Sequence, residues 1–219
     1  MKVVSPSFKI LTPIDADHIL KLLEEVGRTC YKSEDMINDD SCYGFIQRII
    51  DRGHEAVIEH YNITVKLTND RGVSHEEVRH RVASYAQEST RYCNYTKDKF
   101  GSEITYIDLK GGMEYDNKVR NLPADVQQLI YDEWVQACID AENHYNRMIE
   151  LGASPQIARS ALNNSTKTEI CITMNMREWR HFFKLRCVPA AHPQMREIAI
   201  MLLNAFKAMI PVIFDDIEV

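Results

Sequence analysis

The sequence predicts an α+β fold, built as a single compact domain with a central mixed or antiparallel sheet and flanking helices. Three observations lead to this prediction. The chain has 219 residues, 45% hydrophobic and 26% charged, which is the composition of an ordinary globular protein with one core. Some segments repeat apolar residues at helical spacing, whereas others alternate apolar and polar residues as strands do. Helices and strands also mix without strict alternation, which favours α+β over α/β.

The first third of the chain predicts two strands and two helices. Residues 8–11 have the character of a short strand. A helix is predicted to begin at Pro13, to bury an apolar stripe and to end near Gly27. A second helix covers residues 41–52 and ends at the glycine that follows. Residues 63–68 alternate apolar and polar side chains, which predicts a half-buried strand.

The second half predicts longer helices. Residues 123–151 keep apolar side chains at helical spacing between a proline and a glycine, so they form the clearest element. Residues 168–174 predict a strand, residues 175–186 a helix and residues 193–210 the last helix. Residues 93–121 are rich in Lys, Gly, Asn and Tyr and predict a loop-like insertion.

Composition excludes several classes of function. The net charge of −6 argues against a general nucleic-acid binder. No segment approaches the roughly 18 to 20 apolar residues of a membrane span, and the N-terminal residues lack the apolar run of a signal peptide. The six cysteines are scattered without a CxxC pair, which suits neither a zinc ribbon nor a disulfide framework. We therefore expect a cytoplasmic protein with reduced thiols and no bound metal.

Residues 79–92 form the first candidate site. They contain three arginines, a histidine and one glutamate, and the chain has no glycine-rich phosphate loop that would replace them. The alternative is a solvated surface helix whose arginines are incidental. If residues 74–86 were helical, Arg79 and Arg81 would point about 200° apart. Either the helix breaks within this segment, or the two arginines serve different ligands.

Residues 175–186 form the second candidate site. On a helical wheel Arg186 falls in the middle of the apolar face, between Phe182 and Trp179, where a charge is costly unless it is paired. This position favours an anionic ligand, and the alternative is an ion pair with an acidic residue of the chain. Arg177, Arg180, His181 and Lys184 fall on the opposite, polar face of the wheel. Arg177 and His181 are four residues apart and can hold one ligand together.

The segment from His54 to His60 invites a metal site, but its histidines lie on different helix faces, so we favour capping and hydrogen-bonding roles.

These segments together resemble one family. Arg79-His80-Arg81, seven residues and Ser89 resemble the RHRx7S signature of the flavin-dependent thymidylate synthases. The stretch from His54-Glu55 to Glu59-His60 is similar to the family's HE(x)3EH segment. The stretch from Asn175 to Arg186 is similar to its C-terminal flavin and nucleotide segment, and Arg159 stands where the family has a phosphate-binding arginine. The motifs occur in the family's order between residues 54 and 192.

The resemblance implies an enzyme that methylates dUMP to dTMP. It implies FAD as cofactor, NADPH as reductant, methylenetetrahydrofolate as carbon donor, and a homotetramer whose active sites combine several subunits. Arg186 would be the catalytic residue that polarises the uracil. The implied cofactor-binding residues are Ala56, Arg79, His80, Arg81, Gln87, Asn175, Met176, Arg177 and His181. The implied substrate-binding residues are Glu76, Glu77, Val78, Arg79, Gln87, Glu88, Ser89, Thr90, Arg91, Arg159 and Arg186.

Other functions compete with this one. An RNA- or single-stranded DNA-binding module would use the arginine-rich segments, with Tyr85, Tyr92, Tyr95 and Trp179 as stacking platforms, but the acidic net charge opposes it. A nucleotide hydrolase would use the histidines and a metal. Within the synthase hypothesis, Cys187 or Ser89 could be proposed as a nucleophile; we favour the reduced flavin as the reactive group and Ser89 as an anion donor.

Overall fold

The computed structural model describes residues 1–91 and 103–219. Its main sheet has four strands in the order β2-β3-β6-β4, with every neighbouring pair antiparallel. A separate parallel pair joins β1 to β5. The strands are β1 (Lys2–Val4), β2 (Ser7–Ile10), β3 (Asn62–Asp70), β4 (Ala83–Gln87), β5 (Thr105–Ile107) and β6 (Lys167–Asn175).

Helices pack around this sheet. They are α1 (Ala16–Tyr31), α2 (Ser41–Asp51), α3 (Arg71–Glu77), α4 (Lys110–Tyr115), α5 (Ala124–Glu150), α6 (Pro155–Ala158), α7 (Met176–Arg186), α8 (Pro193–Met209) and α9 (Pro211–Phe214). Short 3-10 helices cover Glu34–Met36, Glu55–His60, Val119–Asn121 and Arg159–Ala161. The predicted α+β class with one long helix is confirmed. None of the helices in the two described stretches has the combination of length and apolarity that crossing a bilayer requires.

Most of the hydrophobic core lies between the sheet and helices α1, α2, α7, α8 and α9. The alternating residues Ile63, Val65 and Leu67 of β3 are each at most 1% exposed, as the sequence pattern predicted. A second, smaller cluster lies beneath α5 and includes Tyr106 and Tyr145. The main core fixes α7 against the sheet, and α7 carries half of the candidate site.

The first predicted helix has the wrong ends. It begins at Ala16, because the Asp15 side chain accepts a hydrogen bond from the His18 amide and caps it there. It continues past Gly27 to Tyr31 and ends at Lys32, whose φ of 50° is left-handed. Gly27 lies inside the helix, where a β-carbon would collide with the Phe45 ring. The glycine therefore permits close packing of α1 on α2 and does not end the helix.

One other prediction needs correction. Residues 103–121 are not loop-like throughout, because they contain β5, α4 and a 3-10 turn. The rest of the predicted insertion, with Cys93 and Tyr95, lies outside the described residues, as does Tyr92 before it. Of the two alternatives left open for residues 74–86, the structure has a break in the helix: α3 ends at Glu77 and the chain resumes as β4 at Ala83.

Candidate active site

Residues 79–82 of the arginine-rich segment lie in the turn that connects α3 to β4. Successive side chains of this turn differ in their exposure: Arg79 and Arg81 are exposed, whereas His80 is 4% exposed. The Tyr85 hydroxyl lies 2.7 Å from the carbonyl oxygens of both Glu77 and His80 and fixes the turn. The backbone thus turns one histidine inward and two guanidinium groups outward, so the two arginines do not act as one clamp.

His80 joins two charged side chains. Its Nε2 lies 3.2 Å from Arg186 Nε, and its Nδ1 lies 3.2 Å from Glu178 Oε1. Burial, reinforced by the positive charge of Arg186, lowers the pKa of His80 to about 4, so the ring is neutral at pH 7. Arginine has only N–H donors, so Nε2 accepts, and the proton of the neutral ring is on Nδ1, where it donates to Glu178. The two neighbours therefore select one tautomer.

Arg186 is paired within the chain. Its Nη1 donates to Glu76 Oε2 over 2.8 Å and its Nη2 to the Glu76 carbonyl oxygen over 3.1 Å, and its side chain is 14% exposed. The alternative weighed from the helical wheel, an ion pair inside the protein, is therefore what the structure has. The partner is nevertheless a residue of the same predicted site. Arg186, Glu76 and His80 form one connected group.

A cleft of about 570 Å³ opens beside this group, and we call it the α7 cleft. Its lining includes Glu55, Glu59, Asn175, Arg177, Glu178 and His181. Three of the predicted cofactor residues, Asn175, Arg177 and His181, therefore meet here. Asn175 also caps α7, since its side chain accepts the Glu178 amide over 2.8 Å. Glu178 connects the cleft to His80 and so to Arg186.

The cleft has acidic and basic walls. Arg177 on α7 pairs with Glu59 over 2.6 Å, and Lys184 lies 3.5 Å from Glu55. His54, which precedes Glu55, shares a 2.7 Å hydrogen bond with the Tyr31 hydroxyl, which confirms the hydrogen-bonding role predicted for it. The predicted capping role is wrong for its side chain, which makes no capping bond to the helix that follows. The HE(x)3EH segment thus forms the wall opposite α7.

Arg180 is the charge that sequence reasoning misplaced. The wheel put it on the polar face, but it is 1% exposed. Its guanidinium donates to Glu55 over 2.9 Å, to Asp216 over 2.7 Å and to the Ile213 carbonyl oxygen. Because α9 and the C-terminal residues cover this side of α7, a wheel drawn for α7 alone gives no signal of the burial.

His80, Glu178 and His181 place three possible metal-binding atoms within 4.8 Å of one another. The selected tautomer of His80 directs an N–H, and not a lone pair, toward Glu178. A metal ion would have to displace that proton, so the group is arranged as a hydrogen-bonded network.

A second cleft, of about 330 Å³, lies at α6, and we call it the α6 cleft. Its lining includes Arg71, Thr90, Arg159, Ser160, Asn163 and Asn164. Arg159 donates to the Thr90 hydroxyl over 3.1 Å, so two predicted substrate residues meet here. Arg71 was not among the predicted site residues, because nothing in the sequence distinguishes it from the other arginines of the chain. Its Nη1 is buried and has no hydrogen-bond acceptor among the described residues. These side chains carry two positive charges and no negative one.

Other predicted residues are engaged within the protein. Gln87 donates to Ser74 over 2.9 Å, Glu88 pairs with Lys167 over 3.0 Å, and the half-buried Ser89 accepts the Arg91 amide over 3.3 Å. Ala56 and Val78 are exposed. Met176 is 0% exposed in the main core, so only its backbone is available to a cofactor.

Glu77 is also 0% exposed and accepts from Asn69 over 2.6 Å. Burial raises its pKa to about 8. Its second carboxyl oxygen and the Asn69 side-chain oxygen have no other partner among the described residues. The raised pKa favours the protonated, uncharged form of Glu77 at neutral pH.

The discounted nucleophile Cys187 is 0% exposed, and burial raises the pKa of its thiol to about 12. Such a thiol carries almost no thiolate at neutral pH. Cys30, Cys42, Cys138 and Cys171 are also free thiols, two of them buried, and Cys93 lies outside the described residues.

Comparison with known proteins assigns the family. Residues 14–212 match the model of the family described as thymidylate synthase complementing protein. The flavin-dependent thymidylate synthase of Geobacter sulfurreducens is 33% identical over 197 residues, covering 87% of this chain and 78% of that protein. The enzyme of the same name from Mycobacterium tuberculosis is 34% identical over 213 residues, covering 94% of this chain and 82% of the relative.

A solved structure has the same fold. The UMP/dUMP methylase PolB from Streptomyces cacaoi, crystallised with 5-Br dUMP, superimposes with a TM-score of 0.79 at 21% identity, covering 98% of this chain and 96% of that one. Fold, motif order and sequence relationship agree, and the chain belongs to the flavin-dependent thymidylate synthase family, a family of methyltransferases.

Proposed function

We propose that this protein methylates dUMP to dTMP, with methylenetetrahydrofolate as carbon donor and FAD reduced by NADPH as hydride source. One observation carries the proposal: the α7 cleft gathers Asn175, Arg177 and His181 beside the connected group of Arg186, Glu76 and His80. Relatives named flavin-dependent thymidylate synthases support the reaction. Family membership favours this proposal over a nucleic-acid module or a hydrolase.

The residues of the α7 cleft fit a flavin. Its volume of about 570 Å³ is in the range of ligand sites. Asn175 and His181 in the cleft, with the exposed guanidinium groups of Arg79 and Arg81 in the turn before β4, offer the hydrogen-bond donors and positive charge that a ring system with a pyrophosphate requires. When bound, the reduced cofactor supplies the hydride that completes the methyl group. With the hydride drawn from the flavin and not from the folate, tetrahydrofolate would be the folate product.

Arg186 acts on the pyrimidine in this proposal. The Arg186–Glu76 pair places N–H donors beside a carboxylate. This arrangement complements one edge of uracil, where carbonyl oxygens accept hydrogen bonds and the N3 hydrogen is donated. Arg186 donates to the pyrimidine and stabilises the negative charge that makes C5 a nucleophile. Because His80 is neutral at pH 7, it adds no second positive charge beside the Arg186 guanidinium. The buried thiol of Cys187 has no part in the reaction.

The α6 cleft takes the phosphate. Arg159 and Arg71 provide two positive charges, and Thr90 and Ser160 provide hydroxyl groups, which suits a phosphate monoester dianion. Ser89 and Arg91 are the further phosphate contacts that the resemblance implies. No step needs a metal.

The positions of the two clefts support the proposal of a site that is shared between subunits. Val82 lines the α7 cleft and Thr90 lines the α6 cleft, so the clefts lie toward opposite ends of β4. The five residues of β4 span roughly 15 Å at the usual rise of a strand. The two clefts of one subunit therefore lie apart. We propose the homotetramer that the resemblance implies, with the α7 cleft of one subunit facing the α6 cleft of another.

The test is an assay of the purified protein with dUMP, methylenetetrahydrofolate and NADPH, in which dTMP and the folate products are separated by chromatography. We expect a yellow protein, NADPH-dependent dTMP and tetrahydrofolate. Without NADPH, dTMP formation should stop once the flavin that is already reduced has been consumed. An active flavoprotein that releases dihydrofolate, or one that forms no dTMP, would overturn the proposal.

A further inference from the structure

A third cleft lies between α1 and α2, away from the residues assigned above. It has a volume of about 480 Å³, and we call it the α2 cleft. Its lining includes Arg28, Tyr31, Ser33, Met36, Arg48 and Arg52. None of these residues belongs to the sequence motifs of the family that were identified above.

Two of its arginines lack counter-charges. Arg48 lies on α2 and Arg52 caps its end four residues later, so both side chains lie on one face, where like charges repel. In the described part of the chain neither has a carboxylate within ion-pair distance. The neighbouring acid Asp51 instead accepts a hydrogen bond from Gln47. An anionic ligand would relieve this repulsion.

The third arginine is buried. Arg28 is 5% exposed, and its Nε and Nη2 donate to Glu24 over 3.1 and 2.8 Å. Its Nη1 lies 3.5 Å from Ser33 Oγ, which is a long contact, and 3.6 Å from Met36 Sδ, which is a weak acceptor; both of these residues line the cleft. Such partners satisfy a charged donor poorly. Arg28 therefore has hydrogen-bonding capacity left on the cleft side.

The remaining wall is apolar and aromatic. Tyr31 is 49% exposed and Met36 is 59% exposed, which is unusual for large side chains beside a cavity. The Tyr31 ring lies 6.4 Å from the Phe45 ring, edge to face. A planar ring can pack on these groups while its carboxylates meet the arginines. The cleft thus suits an aromatic ligand that carries several negative charges.

The α2 cleft adjoins the α7 cleft. The Tyr31 hydroxyl is 2.7 Å from His54 Nδ1, and His54 is followed directly by Glu55, which lines the α7 cleft. A long molecule with one end in the α7 cleft can pass this hydrogen-bonded pair and reach Arg48 and Arg52.

We propose that the α2 cleft binds the p-aminobenzoyl-glutamate end of the folate co-substrate, with Arg48 and Arg52 pairing the carboxylates of its γ-glutamyl chain. This inference rests on the proposed function, which requires a folate. Every added glutamate brings one more carboxylate, so affinity should rise with the length of the chain. The adenylate end of a dinucleotide is the other anionic aromatic group that could occupy the cleft, and the test separates the two.

The probe is p-aminobenzoyl-triglutamate, which has no pterin and cannot take part in the reaction. Its binding to the flavin-loaded protein is measured by calorimetry, beside p-aminobenzoyl-monoglutamate and ADP. The variant is R48Q/R52Q. The matched control is R120Q, because Arg120 is an exposed arginine without an ion-pair partner among the described residues. Thermal unfolding of all three proteins verifies that they are folded.

We expect the triglutamate to bind more tightly than the monoglutamate. In R48Q/R52Q its Kd should rise about tenfold, a loss of about 1.4 kcal/mol, with R120Q within about twofold of the unchanged protein. The KM for methylenetetrahydrofolate triglutamate should rise in parallel, whereas dUMP affinity measured without folate should stay the same. Equal triglutamate binding in R48Q/R52Q would overturn the proposal, as would ADP binding that depends on these arginines while triglutamate binding does not.

The two proposals fail separately. If the protein makes dTMP but R48Q/R52Q has an unchanged folate KM, the proposed function stands and the α2 cleft is not a folate site. If the protein makes no dTMP, the proposed function fails with the folate assignment, even where triglutamate binding still depends on the two arginines.

Discussion

Replacing Arg180 by methionine should destabilise the protein strongly while leaving the fold intact. The guanidinium is 1% exposed and joins three parts of the chain: α7 itself, Glu55 on the wall of the α7 cleft, and Asp216 near the C-terminus. Methionine has a similar length and no charge, so it fills the space without replacing the ion pairs. The substitution leaves Glu55 and Asp216 without their common partner.

The size of the effect follows from the burial of these partners. Removing one member of a buried ion pair costs about 3–5 kcal/mol. The Asp216 side chain is 45% exposed and can be hydrated again, so the lower end, about 3 kcal/mol, applies. For a chain of this length 1 kcal/mol shifts the Tm by roughly 2–4 °C, so R180M should lower it by about 6–12 °C.

The assay is thermal unfolding followed by circular dichroism at low and high salt. The matched control is R147M, because Arg147 forms an exposed pair with Glu150 over 3.0 Å. Exposed pairs contribute about 0.2–1 kcal/mol and are screened by salt, so R147M should shift the Tm by less than about 4 °C. The R180M shift should persist at high salt. If R180M unfolds within about 2 °C of the unchanged protein, the Arg180 network does not stabilise the fold and the reasoning is refuted.

Four further predictions concern the site. R186A should remain a folded flavoprotein with turnover reduced by about 10²–10³, as measured by dTMP formation, and near-normal activity would remove Arg186 from the reaction. R91A should weaken dUMP binding about tenfold or more in calorimetry while flavin affinity changes little, and equal dUMP affinity would contradict its phosphate role. Glu77 keeps its proton up to a pKa of about 8 in the folded state but ionises at its ordinary pKa of 4.5 when unfolded, so its contribution to stability is complete below pH 4.5 and is lost as the pH rises through about 8. The Tm of the unchanged protein should therefore fall more than that of E77Q between pH 5 and 9, and parallel curves would show that Glu77 is not protonated. Iodoacetamide should label the exposed Cys30 and leave Cys187 unmodified in the native protein, and rapid labelling of Cys187 by mass spectrometry would restore it as a candidate nucleophile.

The sequence predicted the elements whose side chains repeat along one segment. The long helix predicted over residues 123–151 is α5, and the helices predicted over residues 175–186 and 193–210 are α7 and α8 within one residue. Each has an apolar stripe of several turns, so its spacing identifies it without knowledge of its neighbours. The strands β3 and β6 were identified in the same way by alternation.

The elements that were missed depend on neighbours distant in the sequence. β4 is stabilised by pairing with β6, almost ninety residues later, and β1 by pairing with β5. Gly27 was misread because its reason, the Phe45 ring, lies on another helix. The residue pattern of a short segment does not show which distant segment will pair with it.

The same limit applied to the charges of the site. The wheel recognised that Arg186 needs a partner, but not that Glu76, 110 residues earlier, provides it. It also placed Arg180 on the polar, solvent-exposed face, because a wheel drawn for α7 alone contains neither α9 nor Asp216. The motifs themselves identified the residues that meet in the α7 cleft, because their spacing is specific.

The opposite positions of the α7 and α6 clefts on β4 have a genetic consequence. A subunit that lacks Arg177 keeps a complete α6 cleft, and a subunit that lacks Arg159 keeps a complete α7 cleft. In the proposed oligomer, two such defective subunits would complement one another whenever their intact halves face each other. Two inactive alleles expressed in one cell would then restore thymidylate synthesis in part, whereas either allele alone would not.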